Sequence, residues 1–503
     1  MRSTFFGLNI ARSGLFASQR SLDIVGHNIS NVETPGYTRQ RLNQTAYKPM
    51  DLTGGKGQIG TGVDMTQIVQ IRDEFLDQKY RSENTSFGEW DQRFEGLSQV
   101  EAIINEPSKT GIRSVMDTFF ASFQELSTDP GNKTVRATVR QNGIALAGTI
   151  THMYNQMENM VKSTNFEVEA TVNDVNSMAT QLAKLNKAIF EAEVDGSKAN
   201  DLRDERNLIL DDLSKTMKIQ VVENLQEGGS SKLSVLVNGI PLVRHDEARA
   251  IKMEMDQPTP LYKKTSATTP PTNELKDIKI TNLKWSTGEP IEMNNLGGTL
   301  GGLVQIRDSY DDNKKGVPYY IQELNKFARE FSKAFNDVHK EGYGIGKTTK
   351  SPTFFTANGD SNSTDTISAK NIKISSLIDG DINLIAAAGN SGGATDDNLN
   401  AKKLLEMRNV SIAGLGTKPD DFIKSIVSNL GVDASEAKRM AKNTEAMVTE
   451  VQNQRLSVSG VNLDEEMSNM IKFQHAYNAS ARMITTMDEM IDVIVNRMGR
   501  VGL

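Results

Sequence analysis

The sequence predicts a mainly α-helical protein, elongated and built of several domains, with helices at both ends that pair with each other and a β-rich insertion between them. Both ends repeat apolar residues at alternating three- and four-residue spacings, which keeps one seam of a helix facing a partner helix. Between residues 82 and 213 the chain has few helix breakers, and near residue 218 the pattern changes to strand-like alternation. These three observations carry the prediction.

The first stripe lies near the amino terminus. Its members are apolar or small residues, namely Leu8, Ala11, Leu15, Ser18, Leu22, Val25 and Ile29. The stripe ends before residues 31–37, where Pro35 disfavours helix at Thr34 and Pro35-Gly36 indicates a turn. We therefore expect a coiled-coil-like helix that stops close to residue 31.

The second stripe lies near the carboxyl terminus and has the same spacing. Its members are Met470, Phe473, Tyr477, Ser480, Ile484, Met487, Ile491, Ile494 and Met498. The helix is expected to begin near Asn462, where the acidic run 464–466 complements the helix dipole, and to stop at Gly499. One stripe alone would also suit a helix that lies across a domain. Stripes at both ends favour a partnered coiled coil.

The middle of the chain changes pattern several times. Helices are predicted over 89–105, 113–127, 134–194, 200–215, 303–340 and 420–456. Strands are predicted over 218–222, 232–237, 240–243 and 277–283, with Asn238-Gly239 as a hairpin turn. The predicted domains are a terminal helical assembly domain (1–45 with 460–503), a helical bundle (46–217, 296–341 and 415–459) and a β-rich outer insertion (218–295 and 342–414).

Composition excludes several classes of function. The net charge is −7, with 57 basic and 64 acidic residues and no long basic run, so nucleic-acid binding has little electrostatic support. The chain has no cysteine, which excludes disulfides and thiolate sites. No secretory signal and no membrane-spanning apolar segment is present. On composition the protein is cytoplasmic, unless it is exported by a route without a cleaved signal.

Catalytic and ligand-binding motifs are absent from the sequence. The histidines stand apart from any H-E-x-x-H pattern, at His27, His152, His245, His339 and His475. Residues 55–60 match G-x-G-x-x-G, but a loop precedes them and a strand-like segment follows, which does not suit a dinucleotide site. Residues 297–302 lack the Lys-Ser/Thr of a P-loop, and Asp360, Asn362 and Thr364 lack the acid that completes a calcium loop. We expect no catalytic residue, cofactor or metal.

Residues 21–41, SLDIVGHNISNVETPGYTRQR, resemble the amino-terminal signature of the flagellar axial proteins, the family of rod, hook and hook-associated proteins. The signature residues are Asn28, Asn31, Pro35, Gly36 and Tyr37. Residues 459–499 are similar to the carboxyl end of the same family, and shorter patches at 60–63, 71–76, 201–206 and 296–303 resemble it too. Residues 38–41 favour the hook-associated members.

The resemblance implies a structural role in a self-assembling ring at the hook–filament junction. Its implied partners are other copies of the chain, the hook protein, a second junction protein and an export chaperone at the carboxyl-terminal region. It also implies type III export without signal cleavage, a location outside the cell, and terminal segments that stay mobile until assembly.

The apolar stripe of each terminal helix is unfavourable in water until another helix buries it. We therefore expect folding and assembly to be coupled. The expected interface residues are Leu8, Leu15, Leu22, Val25, Ile29, Met470, Phe473, Tyr477, Ile484, Met487, Ile491 and Ile494. Three alternatives stay open: a hook or distal rod protein, a secreted coiled effector or adhesin, and a wall-hydrolysing enzyme.

Overall fold

The computed structural model describes residues 6–51, 57–104, 111–225, 231–258, 279–311, 314–360 and 366–494 of the 503-residue chain. The chain divides into two compact units. The terminal unit comprises Met1–Ser86, Asp174–Ala250 and Thr444–Leu503, and the central unit comprises Phe87–Asn173 and Ile251–Asn443. Three long helices contain residues of both units: α2 (Glu74–Ile104), α4 (Lys133–Ala192) and α10 (Pro419–Ser459).

In its described residues, the terminal unit contains three further helices and eight strands. These are α1 (Phe6–Ser30), β1 (Gln40–Ala46), β2 (Met50–Asp51), β3 (Gln58–Ile59), β4 (Val63–Gln70), α5 (Asn200–Thr216), β5 (Gln220–Leu225), β6 (Ser231–Val237), β7 (Ile240–Arg244), β8 (Glu247–Ala248) and α11 (Leu463–Asp492). Strands β1 and β4 pair antiparallel, as do β2 and β3. The other four form one sheet in the order β5-β6-β7-β8.

The predicted hairpin at Asn238-Gly239 is confirmed. Both residues have positive φ, 50° and 79°, between β6 and β7. Asparagine and glycine tolerate this left-handed backbone better than other residues, and two such residues make the turn that matches the strand twist.

The central unit surrounds a core rich in phenylalanine. Its other elements are α3 (Ile112–Thr128), β9 (Ile251–Pro258), β10 (Lys279–Trp285), α6 (Gly298–Asp308), β11 (Tyr310–Asp311), β12 (Lys314–Lys315), α7 (Val317–Glu341), β13 (Phe355–Ala357), β14 (Ile372–Ile374), α8 (Ser376–Gly380) and α9 (Leu399–Glu406). Phe119, Phe335 and Phe354 are fully buried, with ring centroids 5.3–5.9 Å apart. Such packing combines large apolar burial with favourable edge-to-face contacts.

Polar side chains on α7 make hydrogen bonds with backbone groups of the irregular segments that follow α7 in the chain. Asn336 accepts the backbone N–H groups of Phe354 and Phe355, each at 2.9 Å, and donates to the Phe355 carbonyl at 2.7 Å. His339 lies 2.8 Å from the Pro352 carbonyl through Nδ1 and accepts the Ala386 N–H at Nε2. Burial lowers the pKa of His339 to about 4, so the imidazole is neutral.

The predicted fold class is confirmed in its helical content, its small sheets and its paired terminal helices. The single helix predicted over 303–340 is wrong, because the chain forms α6 and α7 with β11 and β12 between them. Pro318 lies in the first turn of α7, where its missing N–H costs nothing. A Cβ at Gly316 would lie 2.5 Å from the Gln305 carbonyl oxygen, so the turn requires glycine. Within the described residues, no helix is long and apolar enough to cross a membrane.

Candidate assembly site at the paired terminal helices

Helices α1 and α11 lie antiparallel along each other. A Cβ built on Gly7 would lie 2.6 Å from the Met487 Cε, and one built on Gly14 would lie 3.2 Å from the Ser480 Oγ. At the other end of the pair, the Asn28 Nδ2 donates to the Glu466 Oε2 at 3.1 Å. Each step of seven or fourteen residues along α1 thus matches an equal step backwards along α11, which is the regular register of two antiparallel helices.

The face of α1 that meets α11 is made of small residues. It includes Gly7, Ala11, Gly14, Ser18, Ser21, Val25 and Asn28, which alternate in spacing between four and three. Small side chains let two helix axes approach closely, because the distance between axes depends on the side chains at the contact. Met487 of α11 occupies the space beside Gly7, and Ser480 lies beside Gly14.

The structure places the predicted interface residues in three environments. Of the α1 residues, Val25 is buried, whereas Leu8, Leu15, Leu22 and Ile29 are half-buried, each one position after a member of the small-residue face. In the carboxyl-terminal stripe, the half-buried residues are Phe473, Tyr477, Ile484, Met487 and Ile491, and the exposed ones are Met470 on α11 and Ile494 just after it. Met498 and Gly499 lie outside the described residues.

Exposed apolar side chains concentrate in the terminal unit. Of the 25 large exposed apolar residues among those described, 19 belong to this unit and 6 to the central unit. Eight of the 19 fall between Leu463 and Ile494. Clusters of exposed apolar side chains are typical of interaction sites in soluble proteins.

The signature residues form the turn that follows α1. The Asn31 Nδ2 donates to the His27 carbonyl at 3.0 Å, and its Oδ1 accepts the Thr34 hydroxyl at 3.2 Å. Gly36 has a φ of +80° and packs against Leu208, so a larger residue would be strained there. Pro35 is exposed at the tip of the turn.

The side chain of Asn28 holds the turn, β1 and α11 together. Its Oδ1 accepts the Tyr37 hydroxyl at 2.8 Å and the Gln40 N–H at 3.0 Å. Its Nδ2 donates to the Gln40 carbonyl at 3.0 Å and to the Glu466 carboxylate. Burial, with Asp201 and other carboxylates nearby, raises the pKa of Tyr37, which keeps its hydroxyl a donor.

Arg39 ties the same turn to the start of α11. Its Nε donates to the Glu466 Oε1 at 2.7 Å, and a second guanidinium nitrogen lies 3.0 Å from Glu465. Its backbone N–H donates to the Ser459 carbonyl at 2.9 Å. Burial lowers the pKa of Arg39, but the hydrogen bond to Glu465 and the charges of both carboxylates raise it above its ordinary value.

A buried carboxylate accepts hydrogen bonds from Thr38, the residue after the turn. Asp204 of α5 accepts the Thr38 N–H at 2.9 Å and the Thr38 hydroxyl at 2.5 Å. Arg72 lies 3.6 Å from Asp204 and donates to Asp77 at 2.5 Å. Burial raises the pKa of Asp204 to about 6, against the lowering effect of the Thr38 hydrogen bonds and the Arg72 charge.

The ion-pair network continues onto α10. Asp211 accepts Arg81 at 2.9 Å and Arg455 at 2.6 Å, and Arg455 also lies 3.5 Å from Asp77. Four patches that resemble the axial family from separate parts of the sequence therefore meet at one place. They are 38–41, 71–76, 201–206 and 459–466.

A cleft of about 680 Å³ lies between the turn and the α10–α11 junction. Its walls are residues 32–39, 452 and 455–462, and Arg72 and Glu465 line it as well. The Arg39–Ser459 backbone hydrogen bond joins the two walls.

The two glycine-rich motifs have structural roles in those of their residues that the structure describes. Gly55 and Lys56 lie outside the described residues, and Gln58–Ile59 is a strand paired with Met50–Asp51. A Cβ on Gly302 would lie 2.7 Å from the Glu89 carbonyl oxygen, so this glycine serves helix packing. Asn362 and Thr364 also lie outside the described residues. No group of three potential metal-binding side chains occurs in the described part of the chain.

Comparison with known proteins identifies the family. Residues 97–355 match the flagellar hook-associated protein FlgK helical domain. The chain is 36% identical to flagellar hook-associated protein 1 of Bacillus subtilis (strain 168), with 99% of each chain covered. The chain belongs to the flagellar hook-associated protein 1 family. It is therefore a structural protein of the bacterial flagellum.

Further comparisons of this hook-associated protein 1 family member also match large parts of the chain or its two ends. The Escherichia coli (strain K12) hook-associated protein 1 is 24% identical, with 97% of this chain and 99% of the relative covered. Residues 8–38 match a flagella basal body rod protein family, and residues 452–498 match the C-terminal family of the basal body rod FlgEFG proteins. The flagellar hook junction protein FlgK of Burkholderia pseudomallei shares the fold, with a TM-score of 0.61 at 15% identity over 76% of this chain and 100% of that one.

Sequence reasoning missed part of the site of this hook-associated protein 1 family member. It selected Leu8, Leu15 and Leu22 of α1 as contact residues and passed over Gly7, Gly14 and Ser21 beside them. It also gave no role to Arg39, Arg72, Asp204 or Arg455. The strict four–three spacing of small residues from Gly7 to Asn28 was a signal that could have found the helix face.

Proposed function

We propose that this protein forms the first junction ring between hook and filament, by self-assembly through its terminal helices. The observation that supports this proposal is that 19 of the 25 large exposed apolar side chains in the described part of the chain lie in the terminal unit, eight of them between Leu463 and Ile494. An axial ring needs each copy to bury such surface against its neighbours, and the apolar surface supplies the driving force.

The proposed contact residues are those of the two stripes. Met470 on α11 and Ile494 just after it are 37% and 47% exposed, and so remain free to contact a second copy. Half-buried residues such as Leu15 and Ile484 hold the pair together and lie at its edge. The three-part division is proposed to match this use, with 1–45 and 460–503 for assembly, and the β-rich insertion on the outside.

The proposed partners are the hook protein, the second junction protein and an export chaperone that covers the carboxyl-terminal region before assembly. The proposed route is type III export without cleavage, to a site outside the cell. We propose a structural role without enzymatic activity, cofactor or metal. A muramidase assay on the purified chain tests the wall-hydrolase alternative.

A deletion strain tests the place of the protein in the flagellum. Cells that lack the gene should carry hooks without filaments, as seen by negative-stain electron microscopy. Cells without hooks would instead indicate a role in the hook or the distal rod. Normal flagella would contradict the proposed place of the protein at the junction.

The α11 seam can be tested with one substitution. Ile484→Asp puts a charge on the half-buried face and should block incorporation into flagella, while the central unit stays folded. Thr485→Asp is the matched control, because the neighbouring side chain is exposed. Normal incorporation of Ile484→Asp would contradict the proposed packing.

A further inference from the structure

The outward face of α1 carries one aromatic residue between two arginines. Arg12, Phe16 and Arg20 follow each other at four-residue steps, which places them on one face of the helix. All three are exposed, Phe16 by 50%. Neither arginine has an ion-pair partner among the described residues. The two lie about 12 Å apart along the helix axis, with Phe16 halfway between them.

The cleft beside the turn has the complementary character. Val32, Leu456 and Val458 are exposed apolar residues in its lining, at 36%, 51% and 41%. Glu33 also lines it and has no ion-pair partner within the described part of the chain. The volume of about 680 Å³ lies in the range of pockets that hold large ligands, roughly 300–1,000 Å³.

Glu33 and Glu465 are the carboxylates of the cleft lining, and the cleft together with the ion-pair network behind it has a negative net charge. Three arginines line it, but each is paired with carboxylates directly behind the surface. The carboxylates of the cleft and its network are Glu33, Asp77, Asp204, Asp211, Glu465 and Glu466, and the guanidinium groups are those of Arg39, Arg72, Arg81 and Arg455. Six negative groups against four positive ones leave an excess of two negative charges.

We propose that the Arg12–Phe16–Arg20 face of one copy docks into the cleft of a second copy of this chain. Phe16 packs against Val32 and the apolar α10 end, and the arginines face the acidic rim. An aromatic anchor flanked by arginines is the composition that dominates protein interfaces. This inference rests on the proposed self-assembly and identifies the two surfaces through which neighbouring copies make contact.

The two surfaces differ, which decides the geometry of the contact. Phe16 lies 14 residues before the end of α1, or roughly 21 Å along the helix, so it does not reach the cleft of its own chain. A contact between unlike surfaces is heterologous, and repeated heterologous contacts form rings or helical tubes. The proposed contact therefore has the symmetry that an axial assembly needs.

Photocrosslinking in assembled flagella tests the contact. The full-length chain with p-benzoylphenylalanine in place of Phe16 is expressed in the deletion strain, and isolated flagella are irradiated. The expected product has twice the mass of the chain, with the crosslink mapped to 32–39 or 452–462. Dimers mapped only elsewhere, or no dimers from an incorporated chain, would overturn the inference and leave the proposed function standing. If the wild-type chain is absent from flagella, both fail.

Charge reversal gives an independent test with its own rescue. Arg20→Glu and Glu33→Arg should each lower the chain recovered with flagella about tenfold, and the double variant should restore it to within about twofold. Phe16→Ala should also lower recovery about tenfold, whereas Phe166→Ala, at a 71% exposed position in the central unit, should change it less than about twofold. Normal recovery of the single variants, or a folded double variant without rescue, would count against the contact.

Discussion

At the residue scale, one amide holds three segments in register. Asn28 uses both lone pairs of Oδ1 and both hydrogens of Nδ2, so its orientation is fixed by its partners. The bonds reach the turn through Tyr37, β1 through Gln40 and α11 through Glu466. Because the bonds to Gln40 and Glu466 are buried and the bond from Tyr37 is partly buried, losing them leaves several polar groups unpaired at once.

Asn28→Ala should destabilise the terminal unit by about 1–3 kcal/mol, because buried donors and acceptors then lack partners. Chemical denaturation followed by far-ultraviolet circular dichroism measures this loss. Asn9→Ala is the control, since Asn9 is exposed on the same helix and its loss should cost less than about 0.5 kcal/mol. Equal effects of the two substitutions would contradict the role given to Asn28.

His339 makes the central unit sensitive to acid. The folded chain binds a proton at His339 only near pH 4, whereas the unfolded chain binds it near 6.5. The stabilisation is therefore complete above pH 6.5 and is lost as the pH falls towards 4, by up to about 3 kcal/mol. Urea denaturation at pH 7 and pH 4.5, followed by tryptophan fluorescence, measures the change.

His339→Gln removes the titration and keeps one donor and one acceptor. Its urea midpoint should fall less between pH 7 and pH 4.5 than that of the parent chain. Parallel losses in the two proteins would assign the acid sensitivity to other groups.

At the element scale, the close approach of α1 and α11 depends on glycine and serine in α1. This could not be predicted from apolar periodicity, because a search for large apolar residues follows Leu8 and Leu15 and misses Gly7 and Gly14 beside them. On α11 the predicted stripe includes Met487 and Ser480, which lie beside Gly7 and Gly14 of α1. The meeting of Thr38 with Asp204 joins residues 166 apart, and no local pattern encodes such a contact.

The ends of a helix could be predicted where proline and glycine mark them in the sequence. Helix α4, 60 residues long, was predicted within two residues at each end, because Pro130-Gly131 and Asp195-Gly196 bound it. The break between α6 and α7 was missed, although Pro318 lay inside the predicted helix. Apolar residues continue on both sides of the break, so periodicity alone suggested one helix.

Gly14→Leu should separate α1 from α11, because the added side chain has no room beside Ser480. Hydrogen exchange should then be faster along α11 and unchanged in the central unit. Gly26→Leu is the matched control on the same helix, since a Cβ there meets no atom within 4 Å. Protection of α11 that survives Gly14→Leu would mean that the small residues do not set the contact.

At the scale of the whole molecule, the two units differ in how they bury apolar surface. Of the 78 buried apolar residues among those described, 60 lie in the central unit and 18 in the terminal unit. Helix α11 contributes only Glu466 to the buried residues. Since apolar burial is the main stabilising contribution, the terminal unit is expected to be the less stable of the two until other copies cover it.

This difference can be measured because both tryptophans of the chain, Trp90 and Trp285, belong to the central unit. In a denaturant titration, circular dichroism should begin to change before tryptophan fluorescence, since the terminal helices unfold first and the transition is not two-state. Tyr477→Trp adds a probe on α11 and should bring part of the fluorescence change to the earlier transition. Coincident curves from all three measurements would mean that the units unfold together, and that apolar exposure does not make the terminal unit the weaker one.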